Sequence, residues 1–130
     1  MGIIQNSRSS STGTDCYCWI QKNEEQIKTH EAWHANLPEA FFEEFLKNQP
    51  PLTYLLRSGP KEQSYFISFV QQDGTIKHKS FVLEFDHKGW YYRNGVTNGL
   101  KEVTMEDLQE LIPIMMHCEP SACIPLTSTR

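Results

Sequence analysis

The apolar positions before residue 51 follow the spacing of a helix. Asn36-Leu37-Pro38-Glu39 combines a capping side chain, a proline in the first turn and a carboxylate three residues after the cap, which is typical of a helix start. Four large apolar residues then share one helical face: Phe41, Phe42, Phe45 and Leu46. Because proline disfavours helix at the residue before it, Asn48-Gln49-Pro50-Pro51 ends the predicted helix.

After residue 51 the pattern changes to runs that are dense in aromatic and β-branched residues. Strands are predicted over 53–57, 64–71, 75–85 and 90–93. Asp73-Gly74 joins the second and third strands and is the strongest hairpin-turn signal in the chain. Residues 94–101 contain Asn and Gly, which favour turns, and are predicted to form a loop.

Helical spacing returns near residue 104. Residues 104–107 resemble a capping box, and an apolar stripe at i, i+3, i+4, i+7 and i+8 follows: Leu108, Leu111, Ile112, Met115 and Met116. Pro113 lies inside the stripe and should kink this helix or end it early. The order helix, antiparallel meander, helix predicts an α+β fold, with a central antiparallel sheet flanked by two helices, because strands that are apolar on both faces need cover on each.

The composition is that of one ordinary globular domain. A chain of 130 residues can build one core but not two. Its formal net charge of −4 argues against general binding to nucleic acid or to an anionic membrane, so any anion must be recognised by a few well-placed cations. No apolar run approaches the roughly 20 residues that span a bilayer, so we expect no membrane span.

The first 32 residues are more polar than the rest of the chain. Residues 1–15, rich in Ser, Thr and Gly, are predicted to be a disordered tail. Residues 16–32 are predicted to be an extension with a short helix around 24–32, and residues 33–127 form the predicted domain.

Four cysteines form two close pairs, Cys16 with Cys18 and Cys118 with Cys123. Together the pairs could bind zinc, but neither spacing is that of a standard zinc knuckle. A disulfide framework is less attractive, because the domain has enough apolar residues to fold without one. Reduced thiols in the cytosol, with no metal and no cofactor, are therefore the favoured interpretation.

Arg57 is the residue with the clearest functional implication. It ends an otherwise apolar strand, which holds its charge toward the interior. A charge in such a position needs either a carboxylate partner or an anionic ligand. The planar guanidinium matches the geometry of phosphate particularly well.

The arrangement around Arg57 resembles a Src homology 2 domain, the phosphotyrosine-binding module, from Trp33 to about Leu126. Six segments carry the resemblance: Trp33-His34 to the family's opening Trp-aromatic pair, Tyr54-Leu55-Leu56-Arg57-Ser58 to Phe-Leu-Val-Arg-Glu-Ser, Tyr65-Phe66-Ile67-Ser68-Phe69-Val70 to Tyr-x-Leu-Ser-Val, Ile76-Lys77-His78 to Val-Lys-His, Gly89-Trp90-Tyr91-Tyr92 to Gly-x-Phe/Tyr-Tyr, and Leu108-Gln109-Glu110-Leu111-Ile112 to Leu-x-x-Leu-Val. Each segment alone is a weak signal, but six in the right order are a strong one.

The resemblance implies a phosphotyrosine site. Arg57 would bind the phosphate bidentately, the loop after it would surround the phosphate with hydroxyl and N–H donors, and His78 would shape the pocket wall. Lys61 is included because a cation at the tip of that loop can close over the phosphate. The predicted site comprises Arg57, Ser58, Gly59, Lys61, Ser64 and His78.

The sequence also departs from the family pattern. Ala40 stands where many members have a second arginine, and Ser80 stands where a lysine is frequent, although Lys79 is its neighbour. The predicted pocket therefore depends heavily on Arg57. The loops beside the last helix look unusual, long at 94–103 and short at 117–123, which predicts a poorly formed or absent second pocket and low selectivity for residues after the phosphotyrosine.

These features predict a phosphotyrosine-peptide binding module, a cytosolic and monomeric signal-transduction adaptor whose partners are tyrosine-phosphorylated proteins or peptides. The alternative is a phosphate-independent interaction scaffold of the same fold. We predict no enzyme activity, because adjacent residues such as His117 and Cys118 rarely face each other as catalysis requires. Divergence from animal members suggests a bacterial effector that acts in a host cytosol.

Overall fold

The computed structural model describes residues 8–35, 38–84, 89–94 and 101–127, with the backbone alone at 8–17, 39, 93–94 and 101–104. The helices are α1 (Arg8–Lys28), a 3-10 turn (Glu39–Phe41) that continues into α2 (Phe42–Leu46), α3 (Leu108–Met116) and a second 3-10 turn (Pro120–Ala122). The strands are β1 (Thr53–Ser58), β2 (Ser64–Val70), β3 (Ile76–Glu84), β4 (Gly89–Asn94), β5 (Lys101–Met105) and β6 (Ile124–Pro125).

The strands form one sheet in the order β5-β4-β3-β2-β1-β6. Strands β1 to β5 are a continuous antiparallel meander, and the short β6 runs parallel to β1. The α+β class and the central antiparallel sheet that the sequence predicts are therefore confirmed. None of the helices in the described ranges is long and apolar enough to cross a bilayer.

The outer edge of β1 is covered from both ends of the domain. The segment before α2 covers part of this edge, since Leu56 donates its N–H to the carbonyl of Ala32 and its carbonyl accepts the N–H of His34. Along the same edge, Ile124 and Leu126 donate their N–H groups to the carbonyls of Leu52 and Tyr54. The imidazole of His34 then contacts the Leu126 carbonyl oxygen at 2.8 Å, which joins the two covering segments.

Alternating residues of the strands build one main core and a small apolar cluster on the other face of the sheet. The main core lies between the sheet, α1 and α3, and includes Leu56, Ile67 and Trp90. The smaller cluster on the other face consists of Leu46 of α2 packed on Leu55 and Val70. Because successive residues of a strand point to opposite faces, β1 contributes Leu56 to the main core and Leu55 to the small cluster.

Helix α1 is longer than the sequence predicts. It covers positions 8–15, where a tail is predicted, and it ends at Lys28 rather than near residue 32. Ile27 is fully buried in the main core. Gln26 accepts the indole N–H of Trp90, and Glu24 accepts a hydrogen bond from the Tyr65 hydroxyl of β2. Such tertiary contacts stabilise a polar helix that local propensity does not specify.

Helix α2 buries only part of the predicted apolar face. Phe42 and Leu46 are buried, whereas Phe41 and Phe45 are 49% and 45% exposed, so only two of the four residues are buried. The reason is that the helix has five residues and a 3-10 start, which leaves a single narrow row against the sheet. The predicted cap, Asn36, lies outside the described residues.

Helix α3 buries all five residues of the predicted stripe. Pro113 does not end the helix, which continues to Met116 and stops at His117, where φ is 56°. The predicted start is one turn too early, because residues up to Met105 pair as β5 and the observed N-cap is Asp107, whose carboxylate accepts the N–H of Gln109. The ammonium of Lys79 donates to the Met115 carbonyl at 2.6 Å and satisfies one acceptor at the helix end.

Candidate anion-binding site

Strand β1 delivers Arg57 to the face of the sheet that α2 covers. Leu55 packs against α2, so Arg57, two residues further along, lies on the same face. Phe66 of β2 is the register partner of Arg57, and Ser68 of β2 is that of His78 on β3. Three neighbouring strands therefore bring these side chains together.

The guanidinium of Arg57 lies between two aromatic rings. Its Cζ atom is 3.7 Å from the ring centroid of Phe42 and 4.5 Å from that of Phe66. The residue is only 8% exposed. Stacking on ring faces suits guanidinium better than ammonium, because its charge is delocalised over a weakly hydrated plane. The rings hold a buried cation in a defined orientation.

A chain of hydrogen bonds leads from Arg57 to the surface. Its Nε donates to the Ser68 hydroxyl at 3.4 Å, and this hydroxyl is 2.6 Å from Nδ1 of His78. Nε2 of His78 is 3.1 Å from the Glu43 carboxylate. Because guanidinium can only donate, the hydroxyl is able to donate onward to Nδ1, which leaves the Nε2 proton directed at Glu43.

These side chains enclose a cavity of about 450 Å³. The lining residues are Ala40, Phe42, Glu43, Arg57, Phe66 and His78. The cavity thus presents a guanidinium, an imidazole, two rings and one carboxylate. Ala40 lines it at the position where the Src homology 2 pattern often has an arginine.

The structure brings Arg57 and His78 of the predicted site together, but the other four predicted residues do not line the cavity. They form or flank the turn between β1 and β2. The Ser64 hydroxyl donates to the Lys61 carbonyl at 2.6 Å and accepts the Lys61 N–H at 2.9 Å. A Cβ atom at Gly59 would lie 2.6 Å from that hydroxyl and 2.9 Å from the backbone carbonyl carbon of Ser64, so this tight turn requires glycine. Ser58 is exposed.

Sequence reasoning missed Ser68, Phe42, Phe66 and Glu43 as parts of this site. Strand alternation could have identified Ser68 and Phe66, which share the parity that reaches the α2 face. Nothing local indicates that Glu43 reaches His78, because the two residues are on different elements, 35 positions apart.

A larger cavity lies on the opposite face, beside α3. Its volume is about 1110 Å³, and its lining residues are Tyr92, Met105, Gln109, Glu110, Pro113, Ile114, His117, Cys118, Glu119 and Pro120. The sequence predicts a poorly formed or absent second pocket in this region, whereas the described residues leave an open, mostly apolar space. Low peptide selectivity remains a prediction.

Lys79 faces the α3 side rather than the Arg57 cavity. Its ammonium lies 5.7 Å from the ring centroids of both Phe69 and Tyr92. Burial, and secondarily the charge of Lys77, lowers the pKa of Lys79. Lys79 therefore does not take the place of the lysine that is frequent at position 80 in the family, because adjacent strand residues point to opposite faces.

The cysteine pairs do not assemble into one cluster in the described part of the chain. Cys18 is exposed on α1, and the Cys118 and Cys123 sulfur atoms contact each other near β6. Across the described ranges, no group of three or more His, Cys, Asp and Glu side chains could hold a metal ion.

Comparison with known proteins identifies the fold but no near relative. No family model matches the sequence, and no curated protein matches it. The solution NMR structure of the Monosiga brevicollis CRK/CRKL homolog (crka1) SH2 domain has a TM-score of 0.50 at 20% sequence identity, over 70% of this chain and 78% of that chain. The SH2 domain of human proto-oncogene protein VAV1 has a TM-score of 0.49 at 16% identity, over 88% of this chain and 70% of that chain.

The chain therefore has the fold of a Src homology 2 domain, in a divergent form, as the six sequence segments indicate. The resemblance is confirmed at the level of the fold. A sequence identity of 20% does not indicate which ligand the domain binds.

Proposed function

We propose that this domain binds phosphotyrosine-containing peptides, with the phosphate held by Arg57. The observation that carries the proposal is the position of this guanidinium, stacked between Phe42 and Phe66 on the wall of a cavity. A phosphate monoester brings nearly two negative charges and three acceptor oxygens, which suit a planar cation already held in place. The chain also has the fold of a Src homology 2 domain, and the resemblance to that family implies phosphotyrosine binding.

The neighbouring turn can supply further donors to a bound phosphate. Ser58, Gly59, Lys61 and Ser64 follow Arg57 closely in sequence, and we propose that they contribute hydroxyl, N–H and ammonium groups when a ligand binds. His78 would contact the tyrosine ring or its phosphate from β3. The side-chain roles are tested residue by residue, by measuring phosphopeptide affinity after substitution of Ser58, Lys61, Ser64 or His78 to Ala; Gly59 is left unchanged because the turn requires glycine.

A phosphate-independent scaffold of the same fold is the second candidate, and one observation favours it. The Glu43 carboxylate lines the same cavity and contacts His78 at 3.1 Å. A carboxylate repels an incoming dianion, so it must move or the cavity must accept a less charged group. In this second candidate the side chains of the cavity would only stabilise the fold, and a partner would bind to another surface.

Calorimetry with paired phosphorylated and unphosphorylated peptides separates the two candidates. Hydrogen bonds to charged groups contribute about 1.5–3 kcal/mol each, so losing the bidentate pair in Arg57→Ala should cost about 3–5 kcal/mol of binding. That loss is about two to four orders of magnitude in affinity. Arg57→Lys is the matched control, because it keeps the charge and loses the fork.

A loss below about tenfold in Arg57→Ala, with both variants folded by circular dichroism, would favour the scaffold. Equal affinity for both members of a peptide pair would favour it as well. A fluorescence polarisation panel of phosphopeptides tests the proposed low selectivity. A strong requirement for one residue at the third position after the phosphotyrosine would contradict it.

The cellular role that we propose is that of a monomeric cytosolic adaptor without enzyme activity of its own. Phosphorylation of a partner would create the binding site, and the domain would convert that modification into attachment. If the protein is a translocated bacterial effector, the partners would be host phosphoproteins. Capture of tyrosine-phosphorylated proteins from a kinase-treated lysate, compared with the Arg57→Ala protein, tests this role.

A further inference from the structure

Two cysteines contact each other after α3. The Sγ atoms of Cys118 and Cys123 are 3.1 Å apart, although the residues are five positions apart in the chain. This separation is only about 1 Å longer than a disulfide bond. Both residues are half-buried, and both pack against the main core.

The backbone between the two cysteines holds them together. Cys118 follows the left-handed residue that ends α3 and donates its N–H to the Pro113 carbonyl at 3.1 Å. The 3-10 turn Pro120–Ala122 then reverses the chain, and the thiol of Cys123 donates to the Glu119 carbonyl at 3.6 Å. Immediately afterwards β6 pairs with β1. The contact thus lies between two anchored backbone segments.

We propose that Cys118 and Cys123 are a modification site, at which a reversible intramolecular disulfide forms by exchange with low-molecular-weight disulfides. The Cys118 thiolate attacks one sulfur of the small disulfide and expels a small thiolate. Cys123 loses its proton to solvent, attacks Sγ of Cys118 and expels the second small thiolate. Two protein thiols and one small disulfide become one protein disulfide and two small thiols.

The surroundings assign different roles to the two thiols. Burial, and then the hydrogen bond with Cys118, raises the pKa of the Cys123 thiol to about 12. The Cys123 thiol is also held by its contact with the Glu119 carbonyl, so we assign to it the role of the second, resolving thiol. Cys118 lines the large cavity beside α3, through which a small oxidant can approach it.

The cross-link would join the end of α3 to the start of β6. It closes a ring of only six residues, from Cys118 to Cys123, and fixes one wall of the α3 cavity. A short closed loop restricts the unfolded chain modestly, so we expect the Tm to rise by about 5 °C on oxidation.

Thiol mapping of the 130-residue chain tests the proposal. The protein is equilibrated for several hours with graded mixtures of oxidised and reduced glutathione, blocked with N-ethylmaleimide and digested with trypsin. The peptide 102–130 contains both cysteines and no internal Lys or Arg. Oxidation is expected to make this peptide two hydrogen atoms lighter, without alkyl labels and without a glutathione adduct.

Matched variants sharpen the experiment. Cys118→Ser and Cys123→Ser each leave one thiol that remains labelled or carries glutathione. The double variant Cys16→Ser/Cys18→Ser is expected to oxidise like the natural chain. Two labels on 102–130 at every ratio, a lasting glutathione adduct, a bond to Cys16 or Cys18 or a bond to a second chain would each overturn the proposal. A Tm that does not rise with the cross-link formed would overturn the inference that the native fold accommodates it.

Discussion

The two faces of the sheet differ in how they use the same strands. On the α2 face the cavity is small and contains a cation, an imidazole and a carboxylate within one hydrogen-bonded chain. On the α3 face the cavity is larger and mostly apolar. Adjacent residues of β3, His78 and Lys79, serve opposite faces. Strand alternation thus places the charged side chains on one face of the sheet and the mostly apolar cavity on the other.

The largest expected effect comes from removing apolar volume on each face in turn. Leu111→Ala should lower the free energy of unfolding by about 3–5 kcal/mol, because the side chain is fully buried in the main core. Leu46→Ala should cost about 2–3 kcal/mol, because its cluster contains only three buried residues. Urea denaturation measures both.

The same pair of variants separates the faces functionally. Leu46→Ala should also weaken phosphopeptide binding, since Phe42 and Glu43 are on the same short helix. Leu111→Ala should leave the phosphopeptide affinity of the folded fraction nearly unchanged. Equal effects of the two substitutions on affinity would show that the faces are not independent.

A smaller effect is expected from alkaline pH, and it belongs to the α3 face. Burial, and then Glu24, raises the pKa of Tyr65 above its usual value, and burial raises that of Tyr54. A raised pKa in the folded state means that the stabilisation is complete below pH 10 and is lost as the pH rises above 10. The loss is about 1.4 kcal/mol per pH unit for each tyrosine.

In Tyr65→Phe, the free energy of unfolding should decline less between pH 10 and 11, because one of the two tyrosines no longer contributes to the loss. The measurement is the urea midpoint at pH 8, 10 and 11 for both proteins. A parallel decline in the variant would mean that Tyr65 ionises normally in the fold.

The smallest expected effect is at Glu43, on the α2 face. Glu43→Gln keeps the shape and a contact to His78 but removes the charge that opposes a phosphate. Phosphopeptide affinity should rise about threefold to fivefold at low salt, and the gain should shrink as salt screens the site. Glu44→Gln, on the same helix but outside the cavity lining, is the control. A fall in affinity would indicate that Glu43 positions His78 for binding.

Local signals explain why much of the fold was predictable. The Asp73-Gly74 turn, the aromatic strands and the stripe of α3 are each specified by a few neighbouring residues. Strand β5 was missed because its Thr104 resembles a helix cap, and only pairing with β4 makes it a strand. The final apolar segment became β6 only because β1 offers it a partner.

The candidate site was predictable only in part, because it depends on register. Gly74 has a φ of 90°, and Gln71 donates to the Thr75 carbonyl, so the hairpin loop has three residues rather than two. This register pairs Ser68 with His78, whereas a two-residue turn would shift the pairing by one position. Arg57 could be identified from its strand alone, but the position of His78 beside Ser68 depends on the one additional residue in this loop.

The covered edge of β1 has a consequence for how partners attach. An extended peptide cannot join this domain as an additional strand beside β1, because residues 32–34 and 124–126 already occupy the hydrogen-bonding groups there. Recognition on that side must instead come from side chains that reach across the sheet, and the protected margin also removes a route to chain-to-chain aggregation.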